Sequence, residues 1–187
     1  NPALLGRAFL QAAFPEDLTT WPDVSGPWWA LRGDNFALPL MGADPTATVT
    51  GATPLGLIKF EGVDTEWVRL AIGSTGGSLG ETAAVVILLA GGWLALKKYL
   101  DWRIPVSIFI SVAVLSQVIH AFDAAKPGAV FSLLSGGLML GAVYMATDMV
   151  TSPTTPKGAW VYGAGIGTLV VIIRFWGGLP EGVMYAI

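Results

Sequence analysis

The sequence predicts an all-α integral membrane protein, and three observations carry that prediction. Only 12 % of the residues are charged while 53 % are hydrophobic, about half the charged share of an ordinary soluble domain. Several runs of about 14 to 20 residues carry no charge, the length scale of a bilayer crossing. The polar segments between these runs are short and rich in glycine, proline and hydroxyls, as turns between helices are. A net charge of −3, spread along the chain, gives no footing for nucleic acid. With no cysteine and one histidine, His120, the chain has no means to form disulfides, thiolate zinc sites, cysteine-ligated iron–sulfur clusters or a bis-histidine haem.

In chain order, residues 1–14 begin Asn1-Pro2 and place Leu4, Leu5, Ala8, Phe9, Ala12 and Ala13 on one helical face. This predicts a truncated span or a half-helix, ended by Pro15. The Asn-Pro-Ala start and the Met184-Tyr-Ala-Ile187 end lead us to expect a piece of a longer polypeptide, its last apolar run just opening. Residues 15–76 predict a lobe at the membrane interface. Pro22, Pro27, Pro39, Pro45 and Pro54 interrupt any long helix there, and Trp21, Trp28 and Trp29 suit the headgroup level. Within this lobe a short surface helix is expected over Leu57 to Ile72, because Lys59, Glu61, Asp64, Glu66 and Arg69 forbid a crossing.

Residues 77–187 form the expected transmembrane domain, with spans at about 77–96, 104–122, 129–147 and 159–175 and a further one opening at 181. Lys97, Lys98 and Arg103 cluster in one loop, which the positive-inside rule places in the cytoplasm. Counting crossings from there puts the loop near Lys157 inside. The loop near Lys126, Gly177 and the 15–76 lobe fall on the outer side.

Five places can carry chemistry. Thr48-Val-Thr-Gly-Ala-Thr-Pro-Leu-Gly56 sets a hydroxyl, Thr53, between small residues and a proline: Thr50, Gly51 and Ala52 leave room for a bulky group and Pro54 holds the turn. It reads either as an attachment point or as a loop joining two helices. Gly76-Gly-Ser-Leu-Gly-Glu-Thr82 opens a helix with Ser78 and Thr82 hydroxyls, suited to an anion or simply to close helix packing. Glu81 in that run is a carboxylate at the membrane boundary, where ion paths run. The block from Ser135 to Gly158 has small residues at Gly137 and Gly141 for a tight helix interface. It then breaks at Asp148, as a cation site or as a capped helix end. His120 with Asp123 reads as a solvated helix terminus rather than a proton relay. Arg174 either snorkels to headgroups or neutralises a phosphate.

Together these motifs resemble a known family. Asn1-Pro-Ala with Arg7-Ala-Phe-Leu10, Thr50-Gly-Ala-Thr-Pro-Leu55, Gly76-Gly-Ser-Leu-Gly-Glu-Thr82 and Trp102-Arg-Ile-Pro-Val106 resemble the D subunit of the Rnf complex. So do Ser135-Gly-Gly-Leu-Met-Leu-Gly-Ala142, Met145-Ala-Thr-Asp148, Thr151-Ser-Pro153 and Pro180-Glu-Gly-Val-Met-Tyr-Ala-Ile187. The Rnf complex is the membrane-bound, ion-translocating ferredoxin:NAD oxidoreductase. Its sister family is the B subunit of the sodium-pumping NADH:quinone oxidoreductase, and the Pro-Glu-Gly-Val-Met-Tyr ending looks more like the Rnf member.

The resemblance implies the second half of a ten-span, inverted-repeat bundle like that of urea channels, in a bacterial inner membrane, with an irregular flavin-bearing interfacial lobe. It implies FMN joined through a phosphoester to Thr53 by a dedicated flavin transferase, and it leaves open a second, non-covalent flavin such as riboflavin. Where many such attachment sites have an aspartate six residues before the threonine, this chain has Ala47, with Asp44 three places further back. The implied role is to relay electrons between other membrane and peripheral subunits while Na⁺ or H⁺ crosses, with Glu81 and Asp148 as candidates on the ion path. The rival readings are the quinone-reducing sister complex and a solute channel that keeps the fold without a flavin.

Overall fold

The computed structural model describes residues 2–14, 53–62, 65–73, 75, 80–124, 126–178 and 181–187. Most of the interfacial lobe, including Asp44, Ala47, Thr50, Gly51 and Ala52, and also Ser78, therefore lie outside the described residues. Among the described residues every element is helical.

In order these are α1 (Pro2–Ala13), α2 (Pro54–Gly56) running into a π-helical turn (Leu57–Glu61), α3 (Trp67–Ile72), α4 (Ala84–Leu96) and α5 (Arg103–Phe122). Then come α6 (Ala129–Leu134), α7 (Leu138–Leu140) running into a second π-helical turn (Gly141–Met145), α8 (Pro156–Trp176) and α9 (Val183–Ala186). The surface stretch expected as one helix over 57–72 is thus divided, with Gly62 and Gly73 both in the left-handed region at its two stops.

Among the described residues two helices, α5 and α8, are long and apolar enough to cross a membrane, with mean hydropathies of 1.9 and 1.5. They lie parallel and in contact. Ser107 Oγ donates to the Trp160 carbonyl at 2.7 Å and Ser111 Oγ to the Ala164 carbonyl at 3.4 Å, the same sequence offset one turn apart. Glycines on α8 make the approach possible. A Cβ on Gly163 would stand 2.8 Å from the Ile104 carbonyl oxygen, and one on Gly167 2.9 Å from that of Ile108. Small residues bringing two backbones together, with hydroxyls bonded across the seam, are how helices associate where water exclusion contributes nothing.

Behind the seam Ile104, Ile108 and Val112 of α5 meet Leu138, Ala142, Ile166, Val170, Val171 and Phe175 in one buried cluster. The outward faces stay apolar: Val85, Leu89 and Trp93 on α4 and Ile110, Val114 and Val118 on α5 are all exposed, as lipid-facing positions are in a helical membrane protein. α4 has 13 residues, roughly 20 Å of helix. It packs on the π-helical turn through Gly91, where Val143 occupies the space a side chain would need.

The stretch expected as a third span, 129–147, is broken. Ser135 is extended and Gly136 turns left-handed at φ 65°. The helix resumes at Leu138 and widens into π geometry at Gly141–Met145. In a membrane such a break survives only where the protein itself bonds the freed backbone groups.

Candidate functional site

The site begins with a helix start. Thr53 is extended (φ −68°, ψ 152°), Pro54 takes the first helical position, and Thr53 Oγ1 accepts from the Gly56 amide at 3.3 Å. That is a threonine N-cap followed by proline, a combination favoured because the cap satisfies a free amide and proline lacks one. The same device opens α8 at Thr155-Pro156. Thr53 is partly exposed. Its turn is rooted by Leu55, which is buried with Leu70 and Phe131.

One turn on, Lys59 ties this segment to the end of α8. Its Nζ donates to the Gly177 carbonyl at 2.6 Å and to the Arg174 carbonyl at 2.9 Å. Lys126 adds a third bond, to the Phe175 carbonyl at 3.4 Å. The last carbonyls of a helix lack intrahelical partners and carry the negative end of its dipole, so cations belong there. Burial lowers the Lys59 pKa below its ordinary value, and the nearby positive charge of Lys126 lowers it further.

Leu55 leads directly to the break between α6 and α7. The left-handed backbone at Gly136 favours glycine, and a Cβ there would lie 2.5 Å from both Leu55 Cδ1 and Glu181 Oε1, so a larger residue would also have to displace those two side-chain ends. Arg174, whose side chain is 3 % exposed, spans the gap. Its Nη1 donates to the Ser132 carbonyl at 2.7 Å, and its Nη2 to the Ser135 carbonyl at 3.0 Å and to Glu181 Oε1 at 3.5 Å. The Gly137 amide donates to the same Glu181 oxygen at 2.6 Å. One arginine therefore satisfies the carbonyls that α6 leaves behind, and one carboxylate satisfies the amide at the start of α7.

Glu81 completes the group. It is 6 % exposed, and its Oε2 stands 3.1 Å from where a Cβ on Gly137 would be. Two carboxylates and one guanidinium thus surround Gly136-Gly137. Among the described residues Ser132 Oγ, Ser135 Oγ and Arg174 Nε are buried without a hydrogen-bond partner. The cluster holds the broken backbone with charged side chains drawn from three separate segments.

The other sequence-derived candidates sit apart. Thr82 is partly buried in the turn before α4. Asp148 lies in a turn where Oδ1 accepts from the Val150 amide and Oδ2 from Thr151 Oγ1, both at 3.4 Å. That turn precedes the start of α8, whereas Arg174 is near its end, roughly 30 Å of helix away. Asp148 and Glu81 are therefore not brought together. The His120 Nδ1–H donates to the Lys126 carbonyl at 2.6 Å, closing the turn after α5. Arg174, expected at the headgroups or on a phosphate, instead points into the protein. Glu181 and Lys59 carried no signal beyond opening a helix and charging a surface.

The whole chain, residues 1–187, matches the family described as NQR2, RnfD, RnfE. It is 37 % identical over 198 residues to the D subunit of the proton-translocating ferredoxin:NAD(+) oxidoreductase complex of Clostridium ljungdahlii, covering all of this chain and 55 % of that protein. It is 37 % identical over 191 residues to the D subunit of the Na(+)-translocating ferredoxin:NAD(+) oxidoreductase complex of Acetobacterium woodii, covering all of this chain and 52 % of that one. The B subunit of the Na(+)-translocating NADH-quinone reductase of Azotobacter vinelandii is 34 % identical over 200 residues, covering all of this chain and 45 % of the relative. The chain spans about half the length of the curated relatives it matches.

Proposed function

The chain belongs to the NQR2, RnfD, RnfE family, and from that we propose that it is part of a membrane subunit of an ion-translocating ferredoxin:NAD oxidoreductase complex in the bacterial inner membrane. Thr53 carries FMN through a phosphoester and so passes electrons between partner subunits. The observation that carries this reading is the state of Thr53: a partly exposed hydroxyl on a turn held by Pro54, Leu55 and Lys59. Such a hydroxyl can act as the nucleophile on the phosphoanhydride of a flavin dinucleotide: its oxygen forms the new P–O bond to the flavin phosphate as the anhydride P–O bond breaks, and the nucleoside monophosphate leaves with the hydroxyl proton. A phosphate there would also meet the amide of Gly56, which Thr53 Oγ1 already engages. The bound flavin supplies the electron transfer, and this chain's residues fix where it stands.

In the same reading the lobe that precedes α4 lies on the periplasmic side, a flavin transferase performs the attachment, and the complete subunit has the ten-span inverted-repeat fold. Coupling to Na⁺ or H⁺ requires that redox state alter the affinity for the ion. Of the two carboxylates expected on the ion path, Glu81 is favoured by its burial beside Glu181 and by the short link through Leu55 to Thr53. Asp148, bonded within its own turn, has less to recommend it.

In-gel fluorescence of the denatured full-length subunit, made together with a flavin transferase, tests the proposal. A fluorescent band that disappears in Thr53→Ala supports it, and a colourless native protein refutes it in favour of a passive solute channel. The 34 % identity to the B subunit of a quinone reductase keeps the sister complex as the second reading. Assaying the purified complex for ferredoxin against quinone reduction separates the two.

A further inference from the structure

We infer that the groove between α5 and α8 is a binding site for one anionic phospholipid, with its headgroup phosphate on Arg103 and Lys157 and one acyl chain lying between the helices. The groove has a volume of about 330 Å³ and is lined by Ser107, Ile110, Ser111, Trp160, Val161 and Ala164. Its walls are apolar in effect, because the two serine hydroxyls are already spent on the Trp160 and Ala164 carbonyls. It opens sideways among exposed apolar residues, Ile110 and Val161 included, where a soluble ligand would not enter but a lipid chain would.

Helix periodicity puts a cation at the head of each wall. Arg103 precedes Ser107, Ile110 and Ser111 by four, seven and eight residues, and Lys157 precedes Trp160, Val161 and Ala164 by three, four and seven. Residues at those spacings share one helical face. Because α5 and α8 run parallel, both cations stand at the same end. There Trp102 meets Trp160 edge to face at 6.2 Å, and the Arg103 guanidinium lies 5.5 Å over the Trp102 ring. Paired tryptophans with a basic side chain mark the headgroup level. The surrounding segments add Lys97 and Lys98, so four basic residues face two acidic ones, Asp101 and Asp148. That balance favours a headgroup whose phosphodiester leaves it net negative over one in which an ammonium cancels that charge. Asp101, whose Oδ1 is 3.3 Å from Arg103 Nη1, already competes for one of the two cations.

The test is native mass spectrometry of the full-length subunit in detergent, titrated with phosphatidylglycerol and phosphatidylcholine of identical chains. One phosphatidylglycerol is expected to be retained with roughly thirtyfold preference, as two surface cations would give. The preference should vanish in Arg103→Gln/Lys157→Gln, return in Arg103→Lys/Lys157→Arg, and grow in Asp101→Asn. Filling the groove with Ala164→Phe should lower retention of both lipids. Ile110→Trp, at an exposed rim position, does the same if the first variant folds poorly. Equal retention of the two lipids, a preference that survives loss of both cations, or displacement of the lipid by glycerol phosphate alone would each overturn the inference. A photo-crosslinker at Val161 in the native membrane should capture phospholipid, and capture of a partner protein there instead would assign the groove to a protein interface.

Discussion

The Arg174 guanidinium and the Glu181 carboxylate stand 3.5 Å apart and share one task from opposite sides of a helix break. The first bonds the carbonyls of Ser132 and Ser135, the second the amide of Gly137. Removing the arginine leaves two buried carbonyls without their donor and the partly exposed Glu181 carboxylate without its cation. Arg174→Gln is therefore expected to destabilise the subunit by at least about 2 kcal/mol, about 1 or more for each buried carbonyl that loses its donor. Glu181→Gln, which keeps an acceptor for Gly137, should cost distinctly less. Thermal unfolding of both variants in detergent checks the order, and an Arg174→Gln protein as stable as the parent would contradict it.

Gly136 and Gly137 should respond differently to the same small change. At Gly136 an added methyl meets the side-chain ends of Leu55 and Glu181 at 2.5 Å in a left-handed backbone, so Gly136→Ala should destabilise the fold by about 1–3 kcal/mol. At Gly137 the methyl meets the Glu81 carboxylate at 3.1 Å, close enough to push it by a few tenths of an ångström. Gly137→Ala should therefore fold while changing ion-dependent turnover of the assembled complex. Unfolding and turnover measured side by side distinguish the two sites, and identical behaviour would count against the placement of Glu81.

Thr53→Ser should keep the flavin band and Thr53→Val should lose it, since only the hydroxyl is needed. Both should fold. The cap bond contributes about 1 kcal/mol, and valine, of the same shape as threonine, costs about that much at this partly exposed position. Retention of covalent flavin in Thr53→Val would move the attachment to another residue.

The Lys59 pKa is lowered from its ordinary 10.5 in the folded protein, first by burial and then by Lys126. Between the lowered value and 10.5 the unfolded chain binds more protons at this residue, so its contribution to stability rises with pH across that window. Below the window the cost of holding the charge is present in full. The neutral amine still donates to Arg174 and Gly177, so those bonds persist. Compared with Lys59→Met, the wild-type protein should gain relative thermal stability as pH climbs toward 10.5. A pH-independent difference between the two would show that the charge at Lys59 carries no folding penalty.

How much of the fold and the site is legible in the sequence follows from the range of each interaction. The spans α5 and α8 are legible because hydropathy is a local sum, and the Thr53-Pro54 cap because both halves are adjacent in sequence. The break at Gly136 is hidden: Ser135-Gly-Gly reads equally well as a small-residue face of a continuous helix, and only the tertiary partners decide. Those partners are Glu81, Arg174 and Glu181, drawn from three segments, with Arg174 reaching Ser132 across 42 positions and Glu181 reaching Gly137 across 44. No periodicity links them. Asp148 draws notice by composition, yet its neighbours supply its hydrogen bonds.

The parallel seam between α5 and α8 joins residues 53 positions apart. A ribosome feeding this chain into the bilayer delivers Ser107 and Ser111 long before their acceptor carbonyls exist, with an entire broken crossing still to be threaded between. Until α8 arrives, the hydroxyls of α5 can only fold back on their own helix, as Thr168 Oγ1 does on the Ala164 carbonyl at 2.8 Å. The seam is therefore a late event in biogenesis, closing only once Gly163 and Gly167 can bring the second backbone against the first.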